Sequence, residues 1–255
     1  RVAGIHRGPD GEVIVPNKVI AKVSRAEVAR KFFSPPPDSS LDVLVREGFI
    51  TDAQARMTQE IPIAQDLTAE ADSGGHTDNR PALTLLPTMM AVAQELQSRY
   101  RYRDRLRVGA AGGIATPDSA AAAFAMGAAY VLTGTINQAC RESGTSEEVR
   151  RMLAQATPSD VTMAPAADMF EMGVKVQVLK WGTMFAIRSR KLYELYRSFA
   201  SLEKLPTKVR AMLERDYFRA TLSEAWARTR QYFAASDPGQ IDRADRDPKH
   251  KMALL

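Results

Sequence analysis

The sequence predicts an α/β protein: a parallel sheet in its N-terminal part, then a mostly helical region. From residue 61 onward, short apolar runs alternate with segments of helical period, and buried strands joined by helices mean a parallel sheet with helices outside. After about residue 158 that alternation stops. One strand-like run, Val174–Leu179, then sits among helical stretches. The last two strands of the alternating part start only about 22 residues apart, near the minimum for a strand–helix–strand unit, which suits a closed barrel and a doubly wound sheet equally.

The elements follow in order. Arg1–His6 and Glu12–Val15 flank Pro9-Asp10-Gly11, a turn signature that predicts a short hairpin. Val19–Val23 reads as a buried strand. Ser24 and Glu27 form a capping-box pattern that opens a helix to Phe33, which Pro35-Pro36-Pro37 stops. Two short helices follow, the second opened by Thr51 with Gln54. Ile63–Glu70 reads as a strand, Asp72–Thr77 as a polar loop, and Pro81–Arg99 as a helix with Leu85, Met89, Val92, Ala93 and Leu96 on one face. Leu106–Ala111 and Ala129–Thr133 are strands, and Pro117–Met126 between them is a helix with Pro at its first position. Thr145 and Glu148 cap a helix to about Ala156. Beyond it, helices are expected over residues 187–200, 206–216 and 222–235.

Composition excludes several classes. The 255 residues are 45% hydrophobic and 25% charged, ordinary for a globular protein. No apolar run approaches the roughly 18–20 residues needed to span a bilayer, and no secretory leader opens the sequence. The single cysteine, Cys140, excludes an internal disulfide and suits a reducing cytoplasm. Arg1 begins the sequence and the apolar Met252-Ala253-Leu254-Leu255 ends it, so both ends are expected to be cuts in a longer polypeptide. The net charge of +5 is uneven: residues 150–255 carry 19 Lys/Arg against 12 Asp/Glu. Such an excess attracts an acidic partner or forms a solvated helical face, and no nucleic-acid motif accompanies it.

Ligands of parallel α/β folds sit beyond the C-terminal ends of the strands, so the loops after the strands are where chemistry is sought. Gly112-Gly113 leads into the helix at Pro117, where close backbone approach and a helix N-terminus make a phosphate cradle. Gly134-Thr135 follows the next strand and adds N–H and hydroxyl donors. A tight turn explains either alone. Glu70–Pro81 packs Gly74, Gly75 and His76 among polar groups directly after a buried strand. His76 is then placed to donate to a ligand or protonate it, unless the loop is a surface cap. Lys22 near the end of an apolar strand either faces a ligand or snorkels to solvent. Met163–Met172 offers flexible apolar side chains for a pocket wall or for ordinary packing.

Glu70–Pro81 (EADSGGHTDNRP), Val108–Ala115 (VGAAGGIA), Thr133–Gln138 (TGTINQ), Met163–Leu179 (MAPAADMFEMGVKVQVL) and Ile20–Arg25 (IAKVSR) resemble the PfaD family, trans-acting enoyl reductases of polyketide and polyunsaturated fatty-acid synthases. That family belongs to the nitronate monooxygenase-like FMN barrels. The resemblance implies the C-terminal half of a (β/α)8 TIM barrel, about strands 5–8, over residues 1–158. A helical substrate or lid region would follow over 159–255. It implies FMN, with the phosphate held by Gly112, Gly113, Gly134 and Thr135, and the ring near Lys22, Gly74, Gly75 and His76. NADPH would supply hydride, an enoyl thioester on an acyl carrier protein would be reduced, and His76 and Lys22 would be catalytic.

A half barrel leaves two unpaired sheet edges, so the 255 residues alone are expected to fold poorly. The usually acidic carrier gives the basic C-terminal region a role, with Arg188, Arg190 and Lys191 as its expected contacts. Three rivals accompany this reading. The first is a nitronate-oxidising flavin enzyme with His76 as base. The second is a non-catalytic module docked on a synthase. The third is an inosinate-type dehydrogenase, which needs a loop cysteine and finds Cys140 in an unsuitable place.

Overall fold

The computed structural model describes residues 2–255, so the expected strand at Arg1–His6 begins on a residue outside the described part. The chain divides into two compact units, residues 1–154 and 155–255.

The first unit opens with an antiparallel hairpin, β1 (His6–Arg7) and β2 (Val13–Ile14). It is shorter than the sequence suggests and is closed around Gly11, whose φ is +76°. β3 (Ile20–Val23), α1 (Ala26–Phe33), α2 (Asp38–Arg46) and α3 (Asp52–Met57) follow. Thr51 and Gln54 form the expected capping box on α3. The box expected on α1 does not form: the N-cap is Arg25, and Ser24 Oγ donates to Asp78 instead. The hydroxyl is more strongly bound by a carboxylate than by a backbone amide. Next come β4 (Asp66–Glu70), β5 (Gly75–His76), α4 (Ala82–Tyr100), β6 (Arg107–Ala111), α5 (Pro117–Ala125), β7 (Val131–Leu132), α6 (Thr135–Gln138) and α7 (Glu147–Gln155). Ser146 accepts from Val149 N at the start of α7, a role the sequence assigned to Thr145.

Strands β3, β4, β6 and β7 form one parallel sheet in sequence order. Its faces differ because side chains alternate along a strand. Ala21, Val23, Leu67, Ala69, Val108 and Ala110 are buried against Phe33 of α1 and Leu85, Met89 and Val92 of α4. The other face carries polar groups in adjacent registers. Asp66 lies opposite Arg107 and accepts from its Nε and Nη2 at 2.6 and 2.7 Å. Thr68, wholly buried, shares a 3.0 Å hydrogen bond with the Tyr130 hydroxyl, whose ring lies over Gly109. Lys22 reaches Glu70 at 2.8 Å. Buried polar groups persist only when partnered, and the buried Asp66 and Thr68 each have one here. Asp66→Ala strands the Arg107 fork and is expected to cost about 1 kcal/mol in urea unfolding, less at high salt.

The second unit opens with an antiparallel pair, β8 (Val161–Pro165) and β9 (Lys175–Leu179). α8 (Phe185–Ser198) packs on β8, and Arg190 Nη2 donates at 2.8 Å to both Thr162 Oγ1 and Met163 O. α9 (Thr207–Met212) runs into a π-helical segment, Leu213–Phe218, ended by Arg219 in the left-handed region. α10 (Leu222–Ser236), α11 (Pro238–Arg246) and α12 (Pro248–Leu254) complete the unit. Its core is Leu195, Leu202, Leu205, Leu213 and Leu222. Lys249 donates to the carbonyls of Tyr196 and Phe199 at the C-terminal end of α8, and burial pulls its ammonium below the usual lysine range. No helix among the described residues is long and apolar enough to cross a membrane.

Candidate functional site

The loops after β4, β6 and β7 converge at the C-terminal edge of the parallel sheet. Ala71 N donates to Ala111 O at 2.8 Å, which zips the first two loops together. Gly112 follows with φ +95°, and a methyl group there would lie 2.6 Å from Ala71 O and 2.7 Å from Asp72 O. Only glycine fits both the conformation and the space. A methyl group on Gly74 would meet Thr135 Oγ1 at 2.8 Å, so the third loop closes on the first. Beyond Gly113 and Gly134 the space is open.

The loop between β4 and α4 is held by its own polar groups. Asp72 N donates to Arg80 O at 2.8 Å, and Asn79 Nδ2 donates to Asp72 Oδ1 at 2.8 Å. Asn79 N donates to Thr77 Oγ1, with Asn79 at φ +54°. The Ser73 hydroxyl is buried with no partner among the described residues, and an orphaned polar atom of that kind asks for a ligand or an ordered water.

The N-terminus of α5 is partly occupied by its own caps. Thr116 caps it by accepting from Ser119 N, and Ser119 Oγ takes the N–H groups of Ala115 and Thr116. The amides left to meet an anion are those of Gly112, Gly113 and Ile114, with Gly134 and Thr135 opposite. A small apolar hollow of about 190 Å³ adjoins them, walled by Ala71, Leu83, Leu86, Ile114 and Met126.

The sequence-predicted residues are thus distributed as follows. Gly74, Gly112 and Thr135 meet through the loop contacts, with Gly113 and Gly134 at the open side. Lys22 is half exposed and ion-paired with Glu70, a partner that sequence reading missed. The in-register pairing of β3 with β4 is what brings them together. Gly75 and His76 form β5, where His76 is exposed and is not a free imidazole. Ser73 was also missed, because one serine in a polar loop carries no signal until its surroundings are known. Met163–Met172 does not act as a methionine wall: Phe170 lines a cavity of the helical unit, while Met172 is exposed.

Comparison with known proteins adds the context. The helices from residue 199 to 255 match the family described as acyl-carrier-protein S-malonyltransferase, inserted helical domain. Over the whole chain, one component of the polyunsaturated fatty acid synthase of Thraustochytrium is 47% identical, and polyketide biosynthesis protein PksE of Bacillus subtilis 46%. The chain spans 17% and 33% of those two proteins, a third or less of either. Among solved structures, the enoyl reductase domain of MlnA from the macrolactin cluster of Bacillus amyloliquefaciens superposes with a TM-score of 0.89 at 39% identity, covering all of this chain and 56% of that one.

The family match corrects the reading drawn from the motifs. It names an acyl-transfer family, not the PfaD enoyl reductases. The FMN- and NADPH-dependent reduction of enoyl thioesters and the flavoprotein oxidoreductase description are therefore set aside, and the nitronate-oxidase rival goes with them. The physical reason for the misreading is that glycine loops at strand ends bind phosphate in many chemistries, and a fold does not dictate its reaction. The likeness to the MlnA domain points in the opposite direction. What the motifs and the comparisons share is the polyketide and fatty-acid synthase setting.

Proposed function

We propose that this chain is a substrate-binding part of a polyketide or polyunsaturated fatty-acid synthase component of the acyl-transfer type. Its helical unit engages an acyl carrier protein and the thioester that protein bears. The observation that carries this reading is the helical-insert match at residues 199–255, within a chain that aligns with synthase proteins over its full length.

Moving an acyl group between thioesters needs a nucleophile with a base in reach. His250 is not that base, since its two ring nitrogens are taken by Glu171 at 3.0 Å and Gln240 at 2.8 Å. The helical unit therefore contributes binding and orientation. Its charge supports the role. Eight of its acids are engaged internally: Asp160, Glu224 and Asp247 accept at helix starts, and Glu171, Glu194, Glu203, Asp216 and Asp245 form ion pairs. Arg197, Lys204 and Lys208 are exposed and form no ion pair among the described residues.

These three cations replace Arg188, Arg190 and Lys191 as the proposed contacts. Arg190 ties α8 to β8, and Lys191 pairs with Glu194. Lys204→Glu with Lys208→Glu is expected to weaken carrier binding about tenfold or more at low salt, with wild-type binding itself falling as salt rises. Unchanged affinity in both respects would count against the proposal.

For the sheet unit we propose a phosphoryl group at Gly112, Gly113, Gly134 and Thr135. The open space beyond Gly113 and Gly134 and the unpartnered Ser73 hydroxyl fit such a group. FMN and a phosphopantetheine arm share this chemistry. When bound, FMN would supply redox capacity, and the arm would deliver the thioester. Flavin released on denaturation identifies the first source; displacement by free phosphopantetheine identifies the second. The sequential order of β3, β4, β6 and β7, with one polar face and one helix-covered face, supports a barrel sector over a doubly wound sheet, whose strand order reverses.

A further inference from the structure

The helical unit carries an open cavity of about 350 Å³, within the size range of small-molecule sites. Its walls come from Phe170, Leu192 and Leu195 of α8, Leu213 and Phe218 at the two ends of the π-helical segment, and Met252 of α12. The lining offers few polar groups. Ser189 already donates to Ala186 O, and the buried Tyr196 phenol is pushed above its ordinary range by desolvation. A π-helical run is an uncommon element that recurs at functional sites, and here it brings both of its end residues to the cavity.

The chain around the start of α8 is apolar as well. The segment entering α8 leaves Trp181, Met184, Phe185 and Ile187 exposed, and Phe185 is itself part of the cavity wall. Phe185 thus joins the exposed surface to the cavity. Arg188 lies on the α8 face that carries Phe185, Ser189 and Leu192, with its guanidinium 5.6 Å from the centre of the Tyr217 ring. Hydrocarbon walls with a cation on the helix face that lines them match a ligand that has an apolar tail and an oxygen-bearing head.

We infer that this cavity is the acyl-chain site, holding the hydrocarbon tail of an acyl thioester while Arg188 faces its carbonyl oxygen. The inference deepens the reading of the helical unit as the carrier-binding part and rests on it. It commits to a thioester. A free fatty carboxylate offers the same tail and a stronger partner for Arg188, so the experiment separates the two.

The full chain is titrated calorimetrically with S-acyl pantetheines of increasing length, and with fatty carboxylates of matching length. Affinity for the thioesters is expected to rise about fourfold per added methylene until the cavity is full. Leu192→Trp, which fills the cavity from a half-buried wall position, flattens that dependence. Leu192→Phe provides the same readout if the larger side chain prevents folding. Arg188→Gln lowers thioester affinity at every length and leaves the slope with length unchanged. A flat length series in the wild-type chain overturns the inference, as does binding of carboxylates without thioesters. Retained binding of the carrier bearing no acyl group, alongside a flat series, leaves the carrier reading standing, whereas loss of both removes it as well.

Discussion

Gly112→Val is expected to destabilise the sheet unit by about 3 kcal/mol, seen as a lower urea midpoint with an unchanged slope. Two costs combine. The residue holds φ +95°, where a β-branched side chain is strained, and its first carbon would press on the carbonyl oxygens of Ala71 and Asp72 at 2.6 and 2.7 Å. Both opponents are backbone, so neither can rotate away. The loops after β4 and β6 must part, breaking the bond from Ala71 N to Ala111 O. Gly113→Ala is the control. That position also has positive φ, at +70°, but faces open space, so its cost is expected to stay near the roughly 1–2 kcal/mol of the conformation alone. Equal effects at the two positions would show that the close approach is not what requires glycine at 112.

His250→Ala is expected to cost the helical unit about 2–3 kcal/mol. The side chain is almost wholly buried and joins Glu171, in the turn between β8 and β9, to Gln240 of α11. Removing it takes one partner each from the Glu171 carboxylate and the Gln240 amide and leaves a void where the buried imidazole stood. Glu171 keeps Arg243 at 3.3 Å, which limits the loss. The neighbouring Lys249 keeps α12 on the end of α8, so unfolding should begin with α11 and the β8–β9 turn. Proteolysis at low protease levels would register this as earlier cleavage near residues 166–174. Thermal melting unaffected by the substitution would mean that the bridge carries no stability.

How much of this was legible in the residues differs between the two units. In the sheet unit, short apolar runs and helical patterns located β3, β4, α4, β6 and α5 to within a few residues, because one face of each is buried against the other. What stayed hidden there was pairing between strands. Nothing in the local sequence says that Lys22 will meet Glu70 or that Tyr130 will cover Gly109; register decides both. In the helical unit β8 was missed, since Met163-Ala164-Pro165 has no strand alternation and becomes a strand only by pairing with β9. Helices α11 and α12 were missed too, although Asp237-Pro238 and Asp247-Pro248 are both N-cap-then-proline starts, a signal that short polar helices depend on. The functional reading went astray at a different level. The glycine loops were located by sequence, but a phosphate cradle does not name the reaction performed beside it.

The central claim, that the helical unit receives the carrier-borne thioester, is tested most directly by hydrogen exchange of the full chain with and without an acylated carrier protein. Protection across residues 185–218, abolished by Lys204→Glu with Lys208→Glu, is the result this account predicts. Exchange unchanged there, with protection appearing only at the glycine loops of the sheet unit, would contradict it.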